Sequence, residues 1–391
     1  MKRTTYLDNA ATTPVQPEVL DAMLPFLGPE KFGNPSSTHQ FGREARAAIE
    51  GARRQVAEPL GAEPKHVIFT SGGTEADNLA VIGGALAARD SGKPFRVAVS
   101  AIEHEAVLSA ARSLEAMGGE VVYLPVDENG AVSLDALDDA LELGVGLVSI
   151  MWVNNEVGAV QDIQSIAAQC ASANTTFHTD AVQAIGKIPC AIPNTHGVAV
   201  TISGHKVGAP KGIGALILRD DGIVQALLHG GGQQRALRPG TENVPGIVGL
   251  GMAVEMVTQN GDKAHKTLAD LRDRLESGIL SSIPDSHPNA AGGHRAPHIC
   301  NISIPGADNE TMLMHLDLAG IACSSGSACK SGSTEISHVM KAMGVNEQFA
   351  RTALRFSFSH NTTQEDVDSV LEQLPAIVKK VRSLNSALRR N

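Results

Sequence analysis

The stretch AGIACSSGSACKSGSTEIS, residues 319–337, places two thiols, Cys323 and Cys329, in a segment rich in glycine and serine, with Lys330 directly after the second. Three chemistries are open to such a pair: a structural disulfide, a metal site, and a nucleophilic thiolate on a pliable tether. Glycine and serine suit the third, because their backbone rearranges at little cost and gives up few packing contacts. Zinc is a poor match, since Cys-x5-Cys with His315 and His338 nearby is not a standard ligand spacing. Cys323 ends an apolar run and reads as packed and inert.

A second set of reactive side chains follows a series of strand-like runs. The sequences just past them are TSGGTEADN (70–78), SAIEH (100–104), WVNNE (152–156), HTDAVQ (178–183) and SGHK (203–206). In open α/β sheets, ligands bind beyond the carboxyl ends of the strands. Any one of these polar endings is explained as a turn or an N-cap, but five in succession point to one crevice. SGGTEADN, at the start of a helix, offers free backbone N–H groups and a positive dipole end, which together suit a phosphate; a plain N-cap is the competing reading. No Walker A or G-x-G-x-x-G fingerprint follows a strand, which takes support from nucleotide binding. Lys206, with Ser203 and His205 beside it, could be a Schiff-base lysine, and Asp180 at a neighbouring strand end is the carboxylate that pyridoxal phosphate needs at its ring nitrogen. Lys211 in GAPKGIG is the competing lysine, placed to serve the turn. His104 could stack on the ring or relay protons. By residue type alone, Arg355 is a half-exposed strand residue.

The elements that would position these groups are legible as a pattern. Runs such as HVIFT (66–70), FRVAVS (95–100), GVGLVSIMWV (144–153) and VAVTIS (198–203) alternate with helical stretches over most of the first 250 residues. That alternation predicts βαβ units and a mostly parallel sheet covered by helices. Near residue 259 the character changes: a long amphipathic helix after an Asn-Gly break, short strands at HICNISI and ALRFSFS, and a last helix from TQEDVDSV predict a smaller α+β unit. With 391 residues, 42% of them hydrophobic, the chain can bury a large core. A net charge of −10 and 3% aromatic residues exclude a broad nucleic-acid footprint. The opening MKRTTYLDNAATT has no apolar leader, and no run suffices to cross a bilayer. Five cysteines in so large a chain read as free thiols in a reducing, cytoplasmic compartment, which disfavours a 323–329 disulfide.

Taken together, YLDNAATT, GNPSSTHQFG, FTSGGTEADN, HTDAVQAIGK, SGHKVGAPKGIG, RPGTENVPGIVG, SSGSAC and LRFSFS, in order from about residue 5 to 380, resemble the cysteine desulfurases of the NifS/IscS type. These belong to the class V aminotransferase superfamily of fold-type I pyridoxal-phosphate enzymes. The resemblance implies a large domain over residues 1–258 around a mostly parallel seven-stranded sheet, and a smaller α+β domain over 259–391. The first fifteen or so residues would pack with the small domain, and the catalytic cysteine segment would run from about 323 to 335. It implies pyridoxal 5'-phosphate as cofactor, with Lys206 as the lysine that binds it covalently, Asp180 at its ring nitrogen and His104 stacked on the ring. Gly73, Thr74, Ser203 and His205 would hold the phosphate, and Asn155 and Gln183 would lie near the ring hydroxyl and substrate. Thr241 would reach the phosphate of a neighbouring subunit, which implies a homodimer. Arg355 would grip the carboxylate of L-cysteine, and Cys329 would be the nucleophile.

The resemblance also implies a scaffold of the NifU/IscU type as sulfur acceptor for iron–sulfur cluster assembly. No structural metal site is implied, only transient iron–sulfur contact through Cys329. A selenocysteine lyase, another class V enzyme or a catalytically idle sulfur-relay protein are the alternatives. SGSTEISHVMKAM and the lack of a longer tail resemble the nitrogenase-associated type more closely. STEIS departs from the family, which usually has proline after the glutamate.

Overall fold

The computed structural model describes residues 4–259, 261–326 and 336–388. Cys329 and Lys330 lie outside the described residues.

After β1 (Thr5–Tyr6) come two helices, α1 (Pro17–Leu27) and α2 (Gln40–Ala57). The main sheet follows: β2 (Val67–Thr70), β3 (Arg96–Ser100), β4 (Glu120–Leu124), β5 (Leu147–Ser149), β6 (Thr176–Asp180), β7 (Val198–Ser203) and β8 (Gly214–Leu218). Its order is β2-β8-β7-β6-β5-β3-β4. β8 is antiparallel to both neighbours and every other pair is parallel, which is the seven-stranded, mostly parallel sheet expected. Every residue of β7 and β8 is buried, so VAVTIS and GALIL read as near-continuous runs rather than alternating ones.

Four helices connect these strands: α3 (Gly73–Asp90), α4 (Glu105–Glu115), α5 (Leu134–Leu143) and α6 (Ile163–Ser172). The last three begin at His104, Ser133 and Asp162, whose side chains each accept an N–H of the first turn and so fix where the helix starts. α7 (Val244–Gln259) packs on α1 and α2. It comes so near α2 that a Cβ at Gly251 would lie 2.7 Å from Ala52 Cα, hence the glycine.

The apolar run GVGLVSIMWV is a strand only over its middle. Past β5, the N–H groups of Ile150 and Trp152 still donate to His178 and Asp180 carbonyls at 3.0 Å, so the chain follows β6 to its end. That track delivers Asn155 and Glu156 to the edge where Asp180 sits.

The remaining elements build a second layer. They are α8 (Gly261–Ser282), β9 (His287–Pro288), β10 (Ile299–Ser303), α9 (Asn309–Leu318), β11 (Ile321–Ala322), α10 (His338–Ala342), α11 (Glu347–Ala350), β12 (Ala353–Ser357) and α12 (Gln364–Leu388). Strands β12-β10-β9 form an antiparallel sheet, and β1 pairs in parallel with β11. Leu268, Leu271, Leu275 and Ile279, at helical spacing on α8, enter a core with Ile302, Phe356 and Leu374. Leu7 joins the same core, so the N-terminal segment is packed here and then runs on toward the main sheet.

Candidate active site

Lys206 ends a single 3-10 turn, Gly204–Lys206, that continues β7 directly, so it leaves the sheet at its carboxyl edge. Its Nζ donates to the carbonyl oxygens of Ala10 (2.7 Å) and Ala11 (2.6 Å). Asp180 is the last residue of the adjacent β6, and its Oδ1 accepts the Val182 N–H at 2.9 Å. Burial pushes the Asp180 carboxyl above its ordinary range, while His104, the Val182 bond and the charges of Lys206 and Lys187 pull it back. His104 accepts the Ala106 N–H at Nδ1 (3.1 Å), which leaves the proton of a neutral ring on Nε2.

All five polar strand ends meet on one cavity of ≈ 340 Å³. Gly73 and Thr74 come from the first turn of α3, Asn155 from the extension of β5, Asp180 and Gln183 from beyond β6, and Ser203, His205 and Lys206 from the end of β7. A Cβ at Gly73 would sit 3.3 Å from both Ser203 Cβ and Val182 Cγ2, so glycine leaves open a cradle at the helix N-terminus. His205 is pushed down to about 4 by burial and then by Lys206, Lys211 and Lys187; it serves at neutral pH as a hydrogen-bonding ring rather than a charge. Gln183 Oε1 lies 3.0 Å from Lys187 Nζ and 3.2 Å from His298 Nε2, and its Nε2 donates to Ala10 O (2.9 Å). Lys211 is exposed and away from the cavity. Thr241 is exposed just before α7 and does not line the cavity of its own chain.

Arg355 overturns what its residue type suggests. It is fully buried rather than half-exposed. The free edge of β12 is covered by the N-terminal segment at Asp8↔Ser357 and by the chain at Ser324↔Arg355, so no face of the strand reaches solvent there. Its Nη2 donates to Asp8 Oδ1 (2.7 Å) and its Nη1 to Asn155 O (2.8 Å). Its Nε has no hydrogen-bond partner among the described residues, a costly state for a buried N–H.

Other residues of this centre were not singled out from sequence. Asp8, Ala10 and Ala11 lie in YLDNAATT, which carries family resemblance but no feature announcing its contacts with Arg355 and Lys206. Asp77 lines the cavity, and Glu103 is fully buried close by. Burial is the largest cause raising both carboxyls, with the Asp180 charge adding to it. Glu103 Oε1 accepts the Met151 N–H at 2.6 Å. His178, pushed down to about 3 by burial, is a neutral ring between Ser149 Oγ (2.8 Å) and Thr201 Oγ1 (3.0 Å). Its 3.6 Å contact with Asp77 is therefore no ion pair. The available sequence signal was a run of acids at strand ends and on the sheet-facing side of α3.

Comparison with known proteins agrees with this centre. The model of the aminotransferase class-V family matches residues 5–370. The chain belongs to that family. It is 46% identical to a cysteine desulfurase IscS of Methanosarcina thermophila, over 97% of this chain and 93% of that one. It is 47% identical to a cysteine desulfurase of Cereibacter sphaeroides, over 97% of each. The solved structure of a NifS-like protein superposes with a TM-score of 0.89 at 36% identity, covering 97% of this chain and all of that one. This class-V chain is thus a fold-type I enzyme that uses pyridoxal phosphate.

The residues present fit that cofactor. The glycine cradle at the α3 N-terminus suits a phosphate. A buried carboxyl held up by desolvation is the partner that a ring N–H⁺ satisfies. Lys206 lines the same cavity, just past the strand that pairs with that of Asp180. Among the described residues, no group of three or more His, Cys, Asp or Glu is arranged to hold a metal ion.

Proposed function

We propose that the protein is a pyridoxal-phosphate-dependent cysteine desulfurase, which takes sulfur from L-cysteine and leaves L-alanine and a persulfide on Cys329. The observation that carries this reading is the seat of the cysteine-bearing segment beside the cavity. Ser324 exchanges both backbone hydrogen bonds with Arg355 (2.6 and 3.1 Å), and Gly326 O lies 3.5 Å from Arg355 Nη1. Cys329 follows Gly326 by three residues in the sequence, so its tether begins beside the arginine that would hold the substrate. An aminotransferase has no use for that arrangement.

When bound, pyridoxal phosphate supplies an electron sink that acidifies the substrate Cα–H and allows the Cβ–sulfur bond to break. Asp180 keeps the ring nitrogen protonated. Gly73, Thr74, Ser203 and His205 take the phosphate, Asn155 and Gln183 the ring hydroxyl edge, and Thr241 the phosphate of the partner subunit. Arg355 takes the substrate carboxylate with the Nε–H that has no acceptor among the described residues. Lys206 would hold the cofactor covalently, and its free amine would take the Cα proton. The Cys329 thiolate attacks the substrate sulfur; the new S–S bond forms as the Cβ–S bond breaks, and the electron pair left on the substrate is protonated to give alanine. His104 Nε2 exchanges protons between these steps.

Purified holoenzyme given L-cysteine and a thiol reductant is expected to form alanine and sulfide in equal amounts. Alanine without sulfide, or sulfide with pyruvate, would sink the reading. Arg355→Lys keeps the charge but loses the planar fork. It should raise KM for L-cysteine by roughly tenfold or more and change kcat less, as expected for one charge-assisted bond. A fall in kcat with KM unchanged would place Arg355 elsewhere in the mechanism.

Finer features are part of the same proposal. We read residues 1–258 as the cofactor domain and 259–391 as the smaller domain that presents Cys329; α7 and α8 contribute to separate cores on either side of that boundary, which supports it. A homodimer is supported by exposed Leu20, Leu24, Leu27 and Phe32 on and after α1, and by Thr241 lying outside its own cavity. The sulfur acceptor is read as a NifU/IscU-type scaffold in iron–sulfur cluster assembly, including nitrogen-fixation clusters. The setting is read as cytoplasmic. The four described cysteines are free thiols, and no described helix is long and apolar enough to cross a membrane.

A further inference from the structure

Asp8 meets the substrate-holding arginine from behind. Its Oδ1 accepts an Arg355 Nη2–H at 2.7 Å, and it does not line the cavity, whereas Arg355 does. A guanidinium carries five N–H donors in one plane. Nη1 donates to Asn155 O (2.8 Å) and, more loosely, to Gly326 O (3.5 Å), and Nη2 donates once, to Asp8. Two N–H groups remain, one on Nη2 and one on Nε, and Nε has no acceptor among the described residues. Donors on two neighbouring nitrogens are what a carboxylate takes in a bidentate grip.

Asp8 can hold that fork because its own backbone is fixed to the strand that carries Arg355. It pairs with Ser357 of β12 in a parallel bridge, where Ser357 N–H donates to Leu7 O (2.7 Å) and Asn9 N–H to Ser357 O (3.3 Å). Residues two apart on a strand share a face, so Asp8 lies beside Arg355 rather than across the sheet from it. The Asp8 carbonyl is itself taken, by Ala11 N–H (3.0 Å) and the Tyr6 hydroxyl (3.1 Å). The Arg355 charge also bears on Glu156, but no hydrogen bond joins those two among the described residues.

We propose that Asp8 is a positioning residue that sets affinity for the substrate: it holds the Arg355 guanidinium at the angle that leaves its Nε–Nη2 edge for the α-carboxylate. The inference rests on the reading of Arg355 as the carboxylate-binding group. Asp8 acts on an incoming carboxylate in two opposed ways. Its charge repels, but weakly, because its side chain is 22% exposed and solvent screens it. Its bond fixes a guanidinium whose own side chain is 1% exposed. Without that bond the buried Nη2 turns to another acceptor, and the edge is no longer presented. The second effect is the larger, so loss of Asp8 weakens binding.

The test titrates holoenzyme with two ligands and reads the early absorbance change of the bound cofactor after rapid mixing. One ligand is L-cysteine; the other is 2-aminoethanethiol, which keeps the amine and thiol and lacks the carboxylate. D8A is expected to need roughly tenfold more L-cysteine for half-saturation, the scale of one charge-assisted grip, with kcat changed less. Its response to 2-aminoethanethiol should match wild type. D8N keeps an oxygen in place and loses the charge, and should bind L-cysteine as wild type does. D8E keeps the charge a buried guanidinium needs and moves the oxygen by one methylene; it should bind L-cysteine weakly, and it carries the test if D8A does not load cofactor. D8A in an R355K background should be no weaker than R355K alone.

Wild-type affinity for L-cysteine in D8A, or in D8E where D8A does not load, overturns the inference alone. So does equal weakening for both ligands, which would mark a structural role, or a D8N as weak as D8A, which would make charge rather than aim the cause. Unchanged KM for L-cysteine in R355K overturns the reading of Arg355, and the inference with it.

Discussion

Replacing Lys206 by alanine is expected to lower kcat by about 10⁴-fold or more, the upper range for loss of a positioned general base. Lys206 is the lysine at the carboxyl edge of the sheet that lines the cavity with the α3 cradle and Asp180. Lys187 is also close, and burial with the Lys206 charge pushes it down to about 7, so a second amine of suitable basicity exists. It is not placed to substitute, because its Nζ is bonded to Gln183 Oε1 (3.0 Å) behind the cavity lining. K206A should still fold, since the side chain is half-buried and the carbonyls it bonds at Ala10 and Ala11 lie in a loop. Alanine production by K206A, with the cofactor spectrum as a check on loading, is the measurement. Activity within tenfold of wild type would remove Lys206 from the mechanism.

Cys329→Ala is expected to separate binding from sulfur transfer. The variant should take up cofactor and respond spectrally to L-cysteine, yet lose sulfide release by on the order of 10⁴-fold or more, as when a covalent nucleophile is removed. Cys323 does not stand in for it. That thiol packs against the smaller core, and burial pushes it well above the ordinary cysteine range, so little thiolate is present at neutral pH. Alanine, sulfide and persulfide assays on C329A and C323A decide the matter. Full activity in C329A, with loss in C323A, would transfer the role to Cys323. Full activity in both would indicate a lyase that expels sulfur without a protein thiol.

The sequence by itself determined the chemistry-bearing parts and their order. Apolar runs buried on both faces announce a parallel sheet, and polar endings after five of them announce a shared edge, because strand ends in such sheets point the same way. Lys206, Asp180, His104, Asn155 and the Gly73–Thr74 turn were therefore legible where local pattern and sheet logic coincide, and all line the one cavity.

Only the tertiary structure decided what depends on segments far apart in the chain. Arg355 reads as a half-exposed strand residue until Asp8, 347 residues away, pairs with it at 2.7 Å and the N-terminal segment covers its strand. The carbonyls that hold Lys206 come from the same distant segment. Glu156 looks like one more polar turn residue after a strand; its reach to Ser337, 181 residues on at the cap of α10, appears only in the folded chain. Periodicity records which face of an element is apolar, and says nothing of which distant group will lie against a buried charge. Long-range ion pairs and hydrogen bonds carry no local signature, so the groups that orient this site were decided by packing.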